Sequence, residues 1–231
     1  RQPMTDASTP TDSEPGAPGA SPGAAQIAAY LAARMCHDFI SPVSAIVSGL
    51  DLLEDPEAQD MREDAMGLIA ASGRKLAEML AFTRVAFGAS ASAETFDPRE
   101  LETLAQGIFR HQRADLEWAV EASSLDKAAA RTALNLAQLA GAALPLGGKA
   151  RLQAVHDGGA TVIAVEAVGP KARLRPDIAA GLAGDRLPDG MMHGHWVQAY
   201  YVHLFVTEAS GRVFAEADGE KVTFAATLPS A

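Results

Sequence analysis

Two amphipathic helical segments lie almost end to end in this chain, and they constrain the fold more than any other feature. From about Ile27 to Glu54, the side chains Ile27, Leu31, Met35, Phe39, Ile46, Leu50 and Leu53 recur three, four or seven apart. That is the spacing of one helix face, and Pro42 falls in the same stripe. After a break at Asp55-Pro56, a second helical pattern runs from about Glu57 to Phe87. Its stripe is Met61, Ala65, Leu68, Ser72, Leu76, Met79, Thr83 and Ala86, broadened by Ile69, Leu80 and Phe87. Two long helices joined by a short turn form an antiparallel hairpin. These stripes are wider than one hairpin covers, and a second copy would complete a four-helix bundle. A homodimer through residues 27–87 is therefore expected. The alternative is packing of the hairpin on the C-terminal half of the same chain.

The stretch "RMCHDFISPVSAIVSGLDLLED", Arg34 to Asp55, places a histidine five residues ahead of a proline inside the first helix. An interior proline costs a helix roughly 3 kcal/mol and leaves a carbonyl four residues back, here that of Asp38, without its donor. At about 100° per residue, His37 lies about 200° from the centre of the apolar stripe. It points toward solvent or a partner. Ala33, Ser41, Ser44 and Ser48 lie within about 40° of it and are small enough to let another protein approach the imidazole. Ile40 and Val47 flank this face, and exposed apolar residues rimmed by polar ones mark docking sites. The competing reading is that they pack on a neighbouring domain. Asp38 either hydrogen-bonds the imidazole, accepts its proton, or is a solvated helix charge. Arg34, one turn before Asp38 and about 60° round the wheel from His37, meets phosphate or a partner's carboxylates, or forms a surface ion pair. Cys36 is read as a small packing residue.

The rest of the chain divides around these helices. Residues 1–25 are rich in Pro, Gly, Ser and Ala and read as a disordered tail. Residues 26–88 form the hairpin domain, and "GASASAET" from Gly88 to Thr95 is the linker. In residues 96–231, "DPRE" supplies Asp97 as N-cap, Pro98 at the first helical position and Glu100 in the first turn. "LEWAVEA" reads as a strand, and the alanine-rich "LDKAAARTALNLAQLAGAAL" as a helix. "KARLQAVHDGGATVIAVEAV" and "GRVFAEADGEKVTFAATL" read as hairpins about Gly158-Gly159 and Asp218-Gly219. "PDIAAGLAG" and "WVQAYYVHLFVTEAS" are helices. Helices on one face of a mostly antiparallel sheet make an α+β sandwich. "HGH", His193 to His195, lacks a third ligand and reads as a loop. "KARLRP", Lys171 to Pro176, reads as a solvated basic loop, with docking of an acidic partner as the alternative.

Charge and cysteine count narrow the partners. The net charge is -10, from 19 basic and 29 acidic residues, which excludes the basic footprint of a nucleic-acid binder. One cysteine allows no disulfide within the chain. No apolar run approaches the ~18 residues of a membrane span. A cytoplasmic location with no membrane partner is expected.

"HDFISP", His37 to Pro42, resembles the H-box of sensor histidine kinases, and the order of a two-helix domain followed by an α+β sandwich resembles their catalytic core. The resemblance runs from about Ile27 to Ala231. It departs at the nucleotide site. "LNLAQLAGA" has Leu139 where those kinases carry the magnesium-holding asparagine. "AVGPK" has Ala167 for the adenine-binding aspartate and Lys171 for a glycine. "GHWVQA" keeps only Gly194 of the glycine-rich loop, with Trp196 and Gln198 filling the space. No ATP or other cofactor is expected to bind. A kinase core of this kind without nucleotide resembles the ChpT-type histidine phosphotransferases. That resemblance implies a cytoplasmic homodimer relaying phosphoryl groups between receiver-domain aspartates. In that family the donor is the receiver of a hybrid kinase, CckA, and the acceptors are the cell-cycle regulators CtrA and CpdR. It implies His37 as the phosphoacceptor with Asp38 beside it. Arg34, Ile40, Ser41, Ser44, Val47 and Ser48 then form the receiver-facing surface, and Mg²⁺ is supplied in the receiver's acidic pocket. The alternative function is a scaffold that docks receivers without passing phosphate.

Overall fold

The computed structural model describes residues 22–88, 94–187 and 194–230. Most of the expected tail, most of the linker and His193 lie outside these residues. Helix α1 spans Ala24–Glu54, so it begins two residues before the expected boundary, and it continues through Pro42. The chain turns at Asp55, where the Asp55 carboxylate accepts from the Glu57 backbone N–H. A single 3-10 turn, Gln59–Met61, leads into α2, Arg62–Ala86. Gly49 explains how closely the two helices pack. A Cβ there would stand 2.7 Å from Ile69 Cγ1 and 3.1 Å from the Ala65 carbonyl oxygen.

The sandwich begins with β1, Thr95–Phe96, and α3, Pro98–Phe109, capped by Asp97 accepting from the Arg99 N–H at 2.8 Å. Next come β2, Ala114–Val120, β3, Leu125–Asp126, and α4, Lys127–Ala142. The two glycine-turn hairpins are β4–β5, Gly148–Asp157 and Ala160–Val168, and β6–β7, Arg212–Asp218 and Lys221–Pro229. Between them lie α5, Pro176–Ala183, and α6, His195–Glu208. The main sheet has the order β2-β4-β5-β7-β6, antiparallel except for the β2–β4 pair. Its helix-covered face is fully buried through Leu152, Ile163, Val165, Val222 and Phe224. Alternation along β4 and β5 leaves the other face partly open, as expected for an antiparallel sheet with one covered side. The short antiparallel pair β1–β3 was not read from the sequence.

Hairpin and sandwich share two apolar contact regions. Phe82, Val85 and Ala86 at the end of α2 belong to the sandwich core. Ile27 and Leu31 at the start of α1 pack with Trp196, Val197 and Tyr200 of α6. Part of the hairpin's stripe is thus covered by the chain's own C-terminal half. Beyond these contacts it is not. Leu50, expected in the covered stripe, is exposed, as are Met61, Leu68 and Leu80. Cys36 is also exposed rather than packed, because it lies on the same side of α1 as Ile40, Val43 and Val47. Among the described residues, no helix is long and apolar enough to cross a membrane.

Candidate functional site

The His37 side chain is 86% exposed. Ala33, Ser41, Ser44 and Ser48 are exposed beside it, as the helical spacing predicts. Ile40 and Val47 stand exposed along one edge of this face, continuous with Val43 and Leu50. The imidazole Nδ1 lies 3.2 Å from Asp38 Oδ1. That contact favours one tautomer. When Nδ1 carries the proton it donates to the carboxylate, and the Nε2 lone pair faces out.

Arg34 departs from the expectation of a side chain reaching toward a partner. Its side chain is only 11% exposed. Nη1 donates to the Gly194 carbonyl oxygen at 2.8 Å, Nη2 lies 3.3 Å from His195 Nδ1, and Nε is 3.7 Å from Asp38 Oδ2. Burial pulls the guanidinium down from its ordinary pKa, and the Asp38 and Asp177 carboxylates oppose that shift. His195 is not in a loop; it is the first residue of α6. Burial, reinforced by the Arg34 and Arg175 charges, pushes its pKa down to about 4. Arg175 of the "KARLRP" stretch holds Asp177 through two bonds, Nε to Oδ1 at 3.0 Å and Nη2 to Oδ2 at 2.9 Å. Burial works against the Asp177 charge, yet the Arg175 fork, the Arg175 and His195 charges and the Ile178 backbone N–H together hold the carboxyl below its ordinary pKa.

His37 and Asp38 border two adjoining clefts between hairpin and sandwich, of about 500 and 360 Å³. Ser41, Lys75, His111, Arg113 and Gln138 line the larger one. Beside it, Glu78 of α2 pairs with Arg110 at 3.1 Å and His111 at 2.6 Å. Sequence reasoning named none of Lys75, His111, Gln138 or the Glu78 pair. Their signal is tertiary, because α2, the segment after α3 and α4 supply them from far apart in the chain. Among the described residues, no group of three or more His, Cys, Asp or Glu side chains is placed to hold a metal ion.

Of the residues that departed from the kinase pattern, Leu139, Ala167, Trp196 and Gln198 are interior, and Lys171 is exposed. Leu139 and Ala167 are fully buried in the core. Trp196 is buried too, with its indole N–H donating to the Asp185 carbonyl at 2.8 Å. Gln198 is buried and donates to Asn135 Oδ1 at 3.0 Å and Gln138 Oε1 at 2.6 Å. Asn135 in turn donates to the Ala86 and Arg131 carbonyls, each at 2.9 Å. This network joins α4, α6 and the end of α2.

Comparison with known proteins agrees with this geometry. Residues 98–221 match the family of the histidine phosphotransferase C-terminal domain. The protein phosphotransferase ChpT of Brucella abortus (strain 2308) is 34% identical over 206 residues, covering 88% of this chain and 96% of that protein. A solved bacterial phosphotransferase superposes with a TM-score of 0.79 at 30% identity, covering 90% of this chain and 98% of the other. With the hairpin, the sandwich and both likenesses spanning nearly its whole length, the chain belongs to the ChpT-like histidine phosphotransferase family.

Proposed function

We propose that this chain relays phosphoryl groups between the aspartates of receiver domains, with His37 as the carrier. The observation that supports it most is the setting of His37: exposed, ringed by small side chains, with a carboxylate on Nδ1. Nε2 attacks the phosphorus of a receiver's aspartyl phosphate. The N–P bond forms as the P–O bond breaks, and the receiver carboxylate leaves with the electron pair. The Nδ1 proton stays on the ring, and Asp38 offsets the positive charge that develops there. Transfer to a second receiver reverses these steps. The transition state spreads charge over three equatorial oxygens, so the chain's contribution is mainly position.

Ile40, Ser41, Ser44, Val47 and Ser48 form the surface over which the receiver passes. The receiver supplies Mg²⁺ from its own acidic pocket, and this chain binds neither Mg²⁺ nor ATP. The working unit is a cytoplasmic homodimer, a reading supported by the apolar side chains that the hairpin leaves uncovered. By family resemblance the donor is a CckA-like hybrid kinase and the acceptors are CtrA-like and CpdR-like cell-cycle regulators. Incubation with a receiver carrying radiolabelled aspartyl phosphate should put acid-labile label on the wild type and none on His37→Ala. A receiver-docking scaffold would bind the receiver and take up no label.

A further inference from the structure

The guanidinium of Arg34 is an unusual group to bury at a domain junction. A cation removed from water is costly unless each of its donors is met. Ile27, Leu31, Trp196 and Tyr200 make an apolar cluster in the same junction between α1 and α6. An apolar residue at position 34 would extend that cluster without the desolvation cost. Instead, Arg34 spends its terminal nitrogens on Gly194 and His195 of the sandwich and turns Nε toward Asp38. Asp38 is the carboxylate that touches His37 Nδ1.

We propose that Gly194 and His195 act on the phosphoacceptor through Arg34: they hold the guanidinium, the guanidinium holds Asp38, and Asp38 keeps the proton on His37 Nδ1 so that Nε2 is the nucleophile. Arg34 and His195 are positioning residues, since neither touches the reacting atoms. The sandwich thereby gains a role in the transfer that needs no nucleotide.

Two features of the junction support this. His195 must accept at Nδ1 for the link to exist. It is neutral near pH 7 because burial and the Arg34 and Arg175 charges oppose its protonation, so that lone pair is available. The carboxylates facing it are Asp177 and Asp38. Asp177 is already committed to Arg175 through two bonds, which leaves Asp38 as the carboxylate that Arg34 contacts directly. The Arg34–Asp38 pair also bridges one helical turn, so holding Arg34 from the sandwich side fixes Asp38 along the axis of α1.

The inference rests on the proposal that His37 carries phosphate, and the test separates the two. Full-length Arg34→Ala, His195→Leu and His195→Asn are compared with wild type after circular dichroism and light scattering establish equal fold and assembly. Transfer from a radiolabelled phospho-receiver is followed by rapid quench over a range of receiver concentrations, and the His37 tautomer is read from ¹⁵N imidazole shifts. Arg34→Ala and His195→Leu should lower the transfer rate at saturating receiver by about tenfold, the loss of the ion pair that positions Asp38. The half-saturating concentration should move little, and the His37 signal should shift from one tautomer to a mixture. His195→Asn keeps an acceptor near the Nδ1 position and should recover both rate and tautomer. Wild-type rate and tautomer in Arg34→Ala and His195→Leu would overturn the link while leaving His37 as the carrier. A change in half-saturation alone would overturn it too, since it would mark Arg34 as a receiver contact. Absence of label on wild-type His37 would overturn the relay itself, whatever the tautomers show.

Discussion

The hairpin leaves Ile40, Val43, Val47 and Leu50 exposed along α1, and Met61, Met66, Leu68 and Leu80 exposed on or beside α2, whereas the sandwich turns Leu152, Ile163, Val165 and Phe224 wholly inward. The sandwich buries one face of its sheet within one chain, though it leaves Phe214, Leu146 and Val168 exposed elsewhere, and its core extends through Leu139, Ala167 and Trp196. The sandwich covers the hairpin at the start of α1, along the last turns of α2 and at Glu78. The sandwich thus buries its helix-covered face by itself, while the hairpin leaves apolar side chains and the small residues around His37 exposed. On the proposed reading, a second copy covers the hairpin's apolar surface and a receiver docks on its polar face.

The largest way to break this contrast is to charge the hairpin's open surface. Val43→Glu with Leu50→Glu should leave each chain folded, because both side chains are already exposed within it. A buried unpaired carboxylate costs several kcal/mol, so dimer affinity should fall by more than about a hundredfold. Light scattering at micromolar concentration should show monomer for the variant and dimer for the wild type. A wild-type monomer would refute the reading of the open surface.

The junction between the two regions should be sensitive to acid. The unfolded chain takes up a proton at His195 near pH 6.5, while the folded chain does so only near pH 4. Between those values the unfolded state binds more protons, so stability falls as pH falls, by up to about 3 kcal/mol. Above pH 6.5 this contribution is fully present. His195→Asn should flatten that part of a denaturant-derived stability curve against pH. An unchanged slope would show that the ring titrates freely in the folded protein.

Asn135 sharpens the contrast from the sandwich side, since it ties α4 to α6 and to the last turn of α2. Asn135→Leu should orphan the Ala86 carbonyl and a donor of Gln198, lowering stability by about 2 kcal/mol. Thermal unfolding would show the loss, and transfer by the folded fraction should persist.

Ile40→Glu or Ser44→Glu should slow phosphoryl transfer by roughly tenfold, the cost of crowding a charge under a docked protein, without changing assembly or fold. Wild-type transfer rates in both variants would place the receiver on another face.

What could be read from the sequence followed the range of the interactions. The stripes, the Asp97 cap and the two glycine turns depend on neighbours a few residues away, and the structure has them. The His37 face was legible for the same reason, because helical spacing alone decides which of Ser41, Ser44 and Ser48 stand beside it. The β1–β3 pair was not legible, since two-residue strands have no periodicity and meet across some thirty residues. Spacing placed Arg34 near His37 but could not show that Gly194 and His195, far along the chain, would bury it. Leu50 and Cys36 failed in a related way: periodicity identifies an apolar face without saying whether the chain's own atoms or another copy cover it.

The central claim is that the hairpin carries the phosphoryl group while the sandwich serves without nucleotide. Its most direct test offers the same protein two labelled donors in parallel, γ-labelled Mg-ATP and a labelled phospho-receiver, and locates the label by mass spectrometry of the phosphopeptide. The account predicts label on His37 from the receiver and none from ATP. Label on His37 from ATP, or from neither donor, would contradict it.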